Sequence, residues 1–123
     1  ATVLNEIAPN WRNTLGSSAL RKAFNRRDEV VYKALKRSAE AIGVAIGNVI
    51  STVGVDAIVL GGGVIEELSD FFLPAIKKSM RKNTFADAAK DVALLESKLG
   101  DDAVALGCAW FVRLPEKQDM LFR

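Results

Sequence analysis

The chain has 123 residues, of which 50% are hydrophobic, and it carries 17 Lys and Arg against 15 Asp and Glu with no histidine. This composition supplies the core of one domain and excludes a disordered segment, and the scattered Lys and Arg exclude the concentrated basic face of a nucleic-acid binder. Without an imidazole, the chain cannot assemble a Ser-His or Cys-His mechanism.

The cellular compartment is indicated by what the sequence lacks. The single cysteine, Cys108, excludes an internal disulfide framework and suits a reducing compartment. No signal peptide is recognisable, and no apolar run reaches the ~20 residues of a membrane span. We therefore expect a cytoplasmic protein without membrane contact. Because the sequence starts at Ala1 without an initiator Met, we also expect a processed product or a piece of a longer protein.

The amino-terminal residues predict short helices. Apolar residues recur at helical spacing up to Leu15, although Pro9 argues against one unbroken helix. Ser17 or Ser18 is a suitable cap for a following short helix that reaches Phe24.

A long helix is the main element of the chain. Asp28 is a good N-cap, apolar residues then recur at helical spacing as far as Val53, and Gly54 is a suitable residue to end the helix. From residue 41 onward the helix is apolar nearly all round, so we expect it to be buried on several sides. Gly43 and Gly47 are four residues apart and predict the close approach of another backbone.

A short apolar run followed by consecutive glycines comes next. The run from Val55 to Leu60 predicts an inner, parallel strand with both faces covered. Gly61, Gly62 and Gly63 follow its carboxyl end, where open α/β sheets bind their ligands. Two interpretations stay open: a corner that a ligand can approach closely, or a tight strand exit that needs glycine only for positive φ.

The remaining elements complete one α/β domain over residues 1–123. Ser69 or Asp70 is expected to cap a helix that carries Pro74 in its first turns, and residues 92–95 predict a second short strand. Residues 99–102 predict a turn with an acidic cap, and residues 103–112 a last helix. Residues 116–123 are expected to form a polar tail.

Candidate catalytic or metal-binding groups are weak. Glu66 and Glu67 are adjacent and diverge in direction, so they do not predict an acid/base pair. Asp101 with Asp102 could bind a cation, but a helix cap is the favoured interpretation. Cys108 lies among small apolar residues and is expected to be packed rather than reactive. We therefore expect no catalytic residue and no metal site within this chain.

Several segments in this order resemble the ROK family of repressors, open reading frames and sugar kinases. They are AIGNVI at positions 45–50, DAIVLGGGV at 56–64, FFLPAI at 71–76 and LGDDAVALGCA at 99–109. The resemblance runs from about Ser17 to Val112 and covers the carboxyl-terminal part of the family only. Cys108 stands where the family more often has a small residue such as alanine.

The resemblance implies the carboxyl-terminal part of an actin-like, ribonuclease-H-like ATPase fold, with few strands and a long buried central helix. It implies that Gly61, Gly62, Gly63 and Val64 bind nucleotide, and that the parent protein uses ATP with Mg²⁺. Nothing suggests that folding of this chain requires a cofactor. The family's phosphate loop, catalytic aspartate, sugar-binding segment and zinc-binding cysteines would all lie upstream of Ala1.

The resemblance leaves more than one function open. The first is the nucleotide-binding lobe of an ATP-dependent hexose kinase, inactive alone, whose partners are the missing amino-terminal lobe, a sugar substrate and further copies in a homo-oligomer. The second is the sugar-sensing and dimerisation domain of a ROK-type transcriptional repressor, in which sugar is the effector. A third interpretation is a small α/β interaction domain without a ligand.

Overall fold

The computed structural model describes residues 2–84 and 91–113, apart from the side chain of residue 101. Six helices and two strands form this part of the chain. The helices are α1 (Leu4–Ile7), α2 (Ser17–Asn25), α3 (Glu29–Val53), α4 (Gly63–Glu67), α5 (Ser69–Lys82) and α6 (Ala103–Val112). The strands are β1 (Ala57–Leu60) and β2 (Ala93–Glu96), and a 3-10 turn at Gly100–Asp102 precedes α6.

The two strands pair in parallel, in a register that sets Ala57 opposite Ala93 and Leu60 opposite Glu96. The predicted parallel strand is confirmed, but it begins at Ala57 rather than Val55. The expectation that both its faces are covered is wrong for the described residues. Ile58 and Leu60 pack against the core, whereas Val59, which points to the opposite face, is 62% exposed.

The core lies between α3 and α5, and α1, α2 and α4 close it. Periodic apolar side chains on α3 and α5 meet along their length, because residues three and four apart share one helix face. The buried apolar residues of this core are Leu4, Ala23, Val31, Leu35, Ala39, Ile46, Ile50, Ile65, Leu68, Phe72, Ile76 and Met80.

Both predicted ends of the long helix are confirmed. The Asp28 carboxylate accepts the N–H groups of Val30 at 2.9 Å and Val31 at 3.0 Å, which caps the first turn of α3. Gly54 follows the last residue of α3 with φ of 69°, the left-handed conformation that glycine adopts most easily.

The predicted close approach at the two helical glycines is also confirmed. A Cβ atom on Gly43 would lie 2.4 Å from Ser79 Cβ, and one on Gly47 would lie 2.8 Å from Thr84 Oγ1. The expectation that the second half of α3 is buried on several sides is wrong for the described residues. Its buried side faces α5, while Val44 and Val49 are exposed and Val53 is 69% exposed. An apolar composition therefore does not mean burial all round here.

Two predicted helix caps are wrong, and a third has the predicted position without the capping hydrogen bond. Gly16, not Ser17 or Ser18, precedes α2, and no side chain caps that helix. Leu68 precedes α5, again without a side-chain cap, so Ser69 and Asp70 belong to the helix itself. Asp102 precedes α6 without a capping hydrogen bond from its side chain.

The last helix is largely uncovered. No residue of α6 is buried, and Val104 and Trp110 are 77% and 69% exposed. Cys108 is exposed as well, so the expectation of a packed thiol is wrong for the described residues. The predicted polar tail at 116–123 lies outside the described residues. Among the described helices, none combines the length and the apolar character needed to cross a bilayer.

Candidate functional site

The glycine run lies where both strands of the sheet end. Since β1 and β2 are parallel, their carboxyl ends meet at the same edge. The backbone N–H of Ser97, which follows β2, donates to the carbonyl oxygen of Leu60 at 2.7 Å. This bond carries the ladder one step beyond the strands and places Ser97 beside Gly61.

Gly61 and Gly63 are each packed against a serine. A Cβ atom on Gly61 would lie 3.0 Å from Ser97 Cβ, and one on Gly63 would lie 3.3 Å from Ser17 Oγ. Side chains at either position would push these serines away. The missing Cβ atoms thus bring the backbone of the run within contact of Ser17 and Ser97.

Gly62 needs glycine for a different reason. Its φ of 104° and ψ of 152° fall in a region that only glycine adopts without strain. A Cβ atom built on it would meet nothing within 4 Å, so its exposed side faces open space. Positive φ therefore explains one glycine of the three, and close packing explains the other two.

Two helices begin at the exposed corner formed by Gly61, Gly62 and Gly63. α4 starts at Gly63. The N–H of Glu66 in this helix donates to the carbonyl oxygen of Gly62 at 3.1 Å. The first N–H groups of any helix have no carbonyl partner inside that helix. α2 starts at Ser17, which is packed on Gly63. Amide N–H groups and serine hydroxyls thus gather at one exposed place, and both are donors that phosphate oxygens accept.

An exposed ion pair joins α2 to α5. The Arg21 guanidinium donates to the Asp70 carboxylate. That hydrogen bond lowers the pKa of Asp70 below its ordinary value and raises the pKa of Arg21. Because Arg21 lies one helical turn after Ser17, the ion pair helps to hold Ser17 against Gly63.

The surface around the glycine run offers hydrogen-bond donors but few groups for catalysis. Glu66 and Glu67 are exposed on α4, and neither makes an ion pair with another described residue. Within the described part of the chain no group of three or more Asp, Glu or Cys side chains could hold a metal ion. The side chain of Asp101 lies outside the described part.

The structure brings Gly61, Gly62, Gly63 and Val64 together as one exposed surface. Sequence reasoning missed two further residues of this surface. Ser17 was considered only as a helix cap, and Ser97 was not considered. The strand register could have identified Ser97, because pairing residues 57–60 with 93–96 places position 97 opposite position 61.

The chain is similar to known proteins over nearly its whole length. The family model described as "ROK family" matches residues 2–114. An N-acetylmannosamine kinase of Haemophilus influenzae (strain PittGG) is 23% identical over 110 residues, which cover 89% of this chain and 35% of that protein. The crystal structure of a proposed sugar kinase from Cytophaga hutchinsonii superposes with a TM-score of 0.75 at 23% identity, over 90% of this chain and 35% of that one.

The structural similarity shows the same fold as a segment of that Cytophaga protein, an α/β arrangement in which helices outnumber the two parallel strands. The chain spans 35% of the length of both relatives. The family match covers nearly all of its residues, and the chain therefore belongs to the ROK family.

Proposed function

We propose that this chain is the nucleotide-binding lobe of an ATP-dependent hexose kinase of the ROK type, and that it is inactive on its own. In this proposal the chain is the carboxyl-terminal part of an actin-like, ribonuclease-H-like fold. Its parent is cytoplasmic and oligomeric, and a further lobe completes the nucleotide cleft. No residue of this chain is assigned a catalytic role.

The observation that carries the proposal is the exposed surface around Gly61, Gly62 and Gly63. Uncovered amide N–H groups at the start of α4 suit phosphate oxygens, and the open side of Gly62 leaves room for a ribose or base. Ser17 and Ser97 add hydroxyl donors on either side. Membership of the ROK family and a relative that is a kinase both support the same ligand.

The described residues suit the phosphates of ATP better than they suit Mg²⁺. The amides and hydroxyls of the corner fit the nucleotide, whereas no described cluster of acidic or thiol side chains fits a metal ion. Phosphoryl transfer needs held phosphates, Mg²⁺ and an oriented nucleophile together. This chain would supply only the first of these, and it would do so by binding and orienting the phosphates.

A coupled assay of hexose phosphorylation tests the claim of inactivity. The chain alone, supplied with Mg-ATP and either glucose or N-acetylmannosamine, should give no turnover above the background without protein. Turnover that scales with the concentration of the chain would contradict the proposal, because it would require a catalytic group within these 123 residues.

A matched pair of variants tests the binding surface. Ser97→Asp and Ser97→Asn have almost the same shape, and both keep an oxygen that can accept the Leu99 N–H, as Ser97 Oγ does at 3.4 Å. Only the aspartate brings a negative charge toward bound phosphates. We expect the Asp variant to bind ATP about tenfold more weakly than the Asn variant at low salt. Equal affinities would mean that the phosphates lie elsewhere.

The domain of a sugar-sensing ROK-type repressor is the second candidate, and one observation favours it. Each glycine of the run has a structural reason that needs no nucleotide: positive φ at Gly62, and packing against serines at Gly61 and Gly63. The residues encoded upstream of Ala1 discriminate the candidates. A helix-turn-helix there would support the repressor, and a phosphate loop with a catalytic aspartate would support the kinase.

A further inference from the structure

A second concave surface lies away from the glycine run, between α3 and α5. This groove has a volume of about 640 Å³, within the range of small-molecule sites. It is lined by Tyr32, Lys36 and Glu40 of α3 and, across from them, by Phe71, Lys78 and Lys82 of α5. None of these residues belongs to the corner at Gly61–Val64.

Polar groups at the base of the groove are already paired. Ser79 Oγ donates to the carbonyl oxygen of Glu40 at 2.8 Å, and Asn83 Nδ2 donates to the carbonyl oxygen of Ser79 at 2.7 Å. Below the groove, Gly43 of α3 is in close contact with Ser79 of α5. The base of the groove is therefore formed by residues that join the two helices.

The charged groups of the groove are unbalanced. Among the described residues that line it, Lys36, Lys78 and Lys82 are cationic, and Glu40 is the one carboxylate beside them. Within residues 2–84 and 91–113, none of these lysines lies within ion-pair distance of an Asp or Glu side chain. The groove thus presents positive charge that an anion of suitable size would neutralise.

One end of the groove is aromatic. The rings of Tyr32 and Phe71 meet edge to face with centroids 5.8 Å apart, and Tyr32 is exposed. Such rings offer a flat apolar surface to a planar or apolar group. The groove therefore combines a surface for an apolar group with cations that suit an anion.

We propose that this groove binds a small phosphorylated molecule that carries a planar or apolar group. The phosphate lies among Lys36, Lys78 and Lys82, and the apolar group lies against Tyr32. Charge argues against a second copy of the chain as the occupant, since a symmetric contact would set these lysines against themselves. The proposal does not depend on the nucleotide assignment at Gly61–Val64.

Phenyl phosphate is the probe, and its affinity for the chain is measured by calorimetric titration. Lys78→Gln should weaken binding by about fivefold or more, because it removes one of the cations beside the phosphate. Lys77→Gln is the matched control: Lys77 is the exposed neighbour on α5 and does not line the groove, so its removal should leave the affinity within about twofold. Denaturant melts of both variants check that each remains folded.

Ligand comparisons complete the test. Phenyl phosphate should bind more tightly than inorganic phosphate, and Tyr32→Ala should reduce this preference, while neutral phenol should not saturate. Equal losses from Lys77→Gln and Lys78→Gln would overturn the proposal, because they would indicate attraction to the general surface charge. Tighter binding of a poly-glutamate peptide that displaces phenyl phosphate would also overturn it, since the groove would then be a surface for an acidic protein.

Discussion

Gly43 of α3 contacts Ser79 of α5 so closely that a Cβ atom on the glycine would lie 2.4 Å from Ser79 Cβ and 2.8 Å from the carbonyl oxygen of Ile76. The second of these is backbone and cannot rotate away. Ser79 also donates from Oγ to the carbonyl oxygen of Glu40. This contact fixes the distance between the two helices that form most of the core.

Gly43→Ala should therefore destabilise the chain. Alanine favours the helix by about 1 kcal/mol over glycine, but overpacking costs about 1–3 kcal/mol, and a clash with backbone lies at the high end. We expect a net loss of about 1–2 kcal/mol in the free energy of unfolding, measured by urea denaturation. Gly107→Ala is the control, because a Cβ atom there meets nothing within 4 Å, and it should be neutral or stabilising. Equal stability of the two variants would mean that the helices are not in contact at Gly43.

The Asp28 carboxylate should make the folding stability of the chain depend on pH in the acidic range. Hydrogen bonds from the Val31 N–H and from Thr2 Oγ1 lower the pKa of the Asp28 carboxyl to about 2 from its ordinary 3.8. Because the folded state favours the ionised form, its stabilisation is complete above pH 3.8 and is lost as the pH falls toward 2. Stability should decline over this window, as measured by thermal melts at a series of pH values.

Asp28→Asn separates the two tasks of this side chain. An amide oxygen can still cap α3, as Asp28 Oδ1 does for Val30 and Val31. Its NH₂ group cannot accept the bonds that Oδ2 receives from Thr2 Oγ1 at 2.7 Å and from the Val3 N–H at 2.6 Å. We expect a loss of about 1–3 kcal/mol at pH 7, the cost of leaving buried donors unpaired. An unchanged pH profile in this variant would show that other carboxyl groups govern the acid sensitivity.

The uncovered last helix predicts self-association. Val104, Leu106 and Trp110 are all exposed on α6, and several large exposed apolar side chains on one helix are typical of an interface. Val104→Lys should shift sedimentation toward the monomer, whereas Val30→Lys, at an exposed valine near the start of α3, should not. A wild-type chain that stays monomeric at high concentration would contradict this prediction.

Local sequence patterns predicted much of the fold, because several elements are stabilised by interactions between residues close together in the chain. The long helix, its Asp28 cap and its Gly54 terminus follow from apolar periodicity and from the preferences of single residues. Starts of helices without a side-chain cap could not be predicted in this way. Asp70 was an attractive cap by type, but Arg21, 49 residues away along the chain, pairs with its carboxylate.

The glycine run shows the same division between local and tertiary information. Its position after a strand was predictable, and positive φ was one of the two interpretations that the sequence left open. Contacts of Gly61 with Ser97 and of Gly63 with Ser17 depend on strand register and on the packing of α2, which a single sequence does not reveal. For the same reason the exposure of Val49 and Val53 could not be read from an apolar pattern.

The central claim is that the surface at Gly61–Val64 holds the phosphates of a nucleotide. The most direct measurement is a titration of the isotopically labelled chain with Mg-ATP, in which backbone amide chemical shifts are followed at millimolar ligand. We expect saturating shifts at Gly61, Gly62, Gly63 and Val64, with smaller shifts at Ser17 and Ser97. Adenosine, which has no phosphate, should not shift the amides that contact phosphate in the complex with ATP. Saturating shifts confined to other parts of the chain, or none at all, would contradict it.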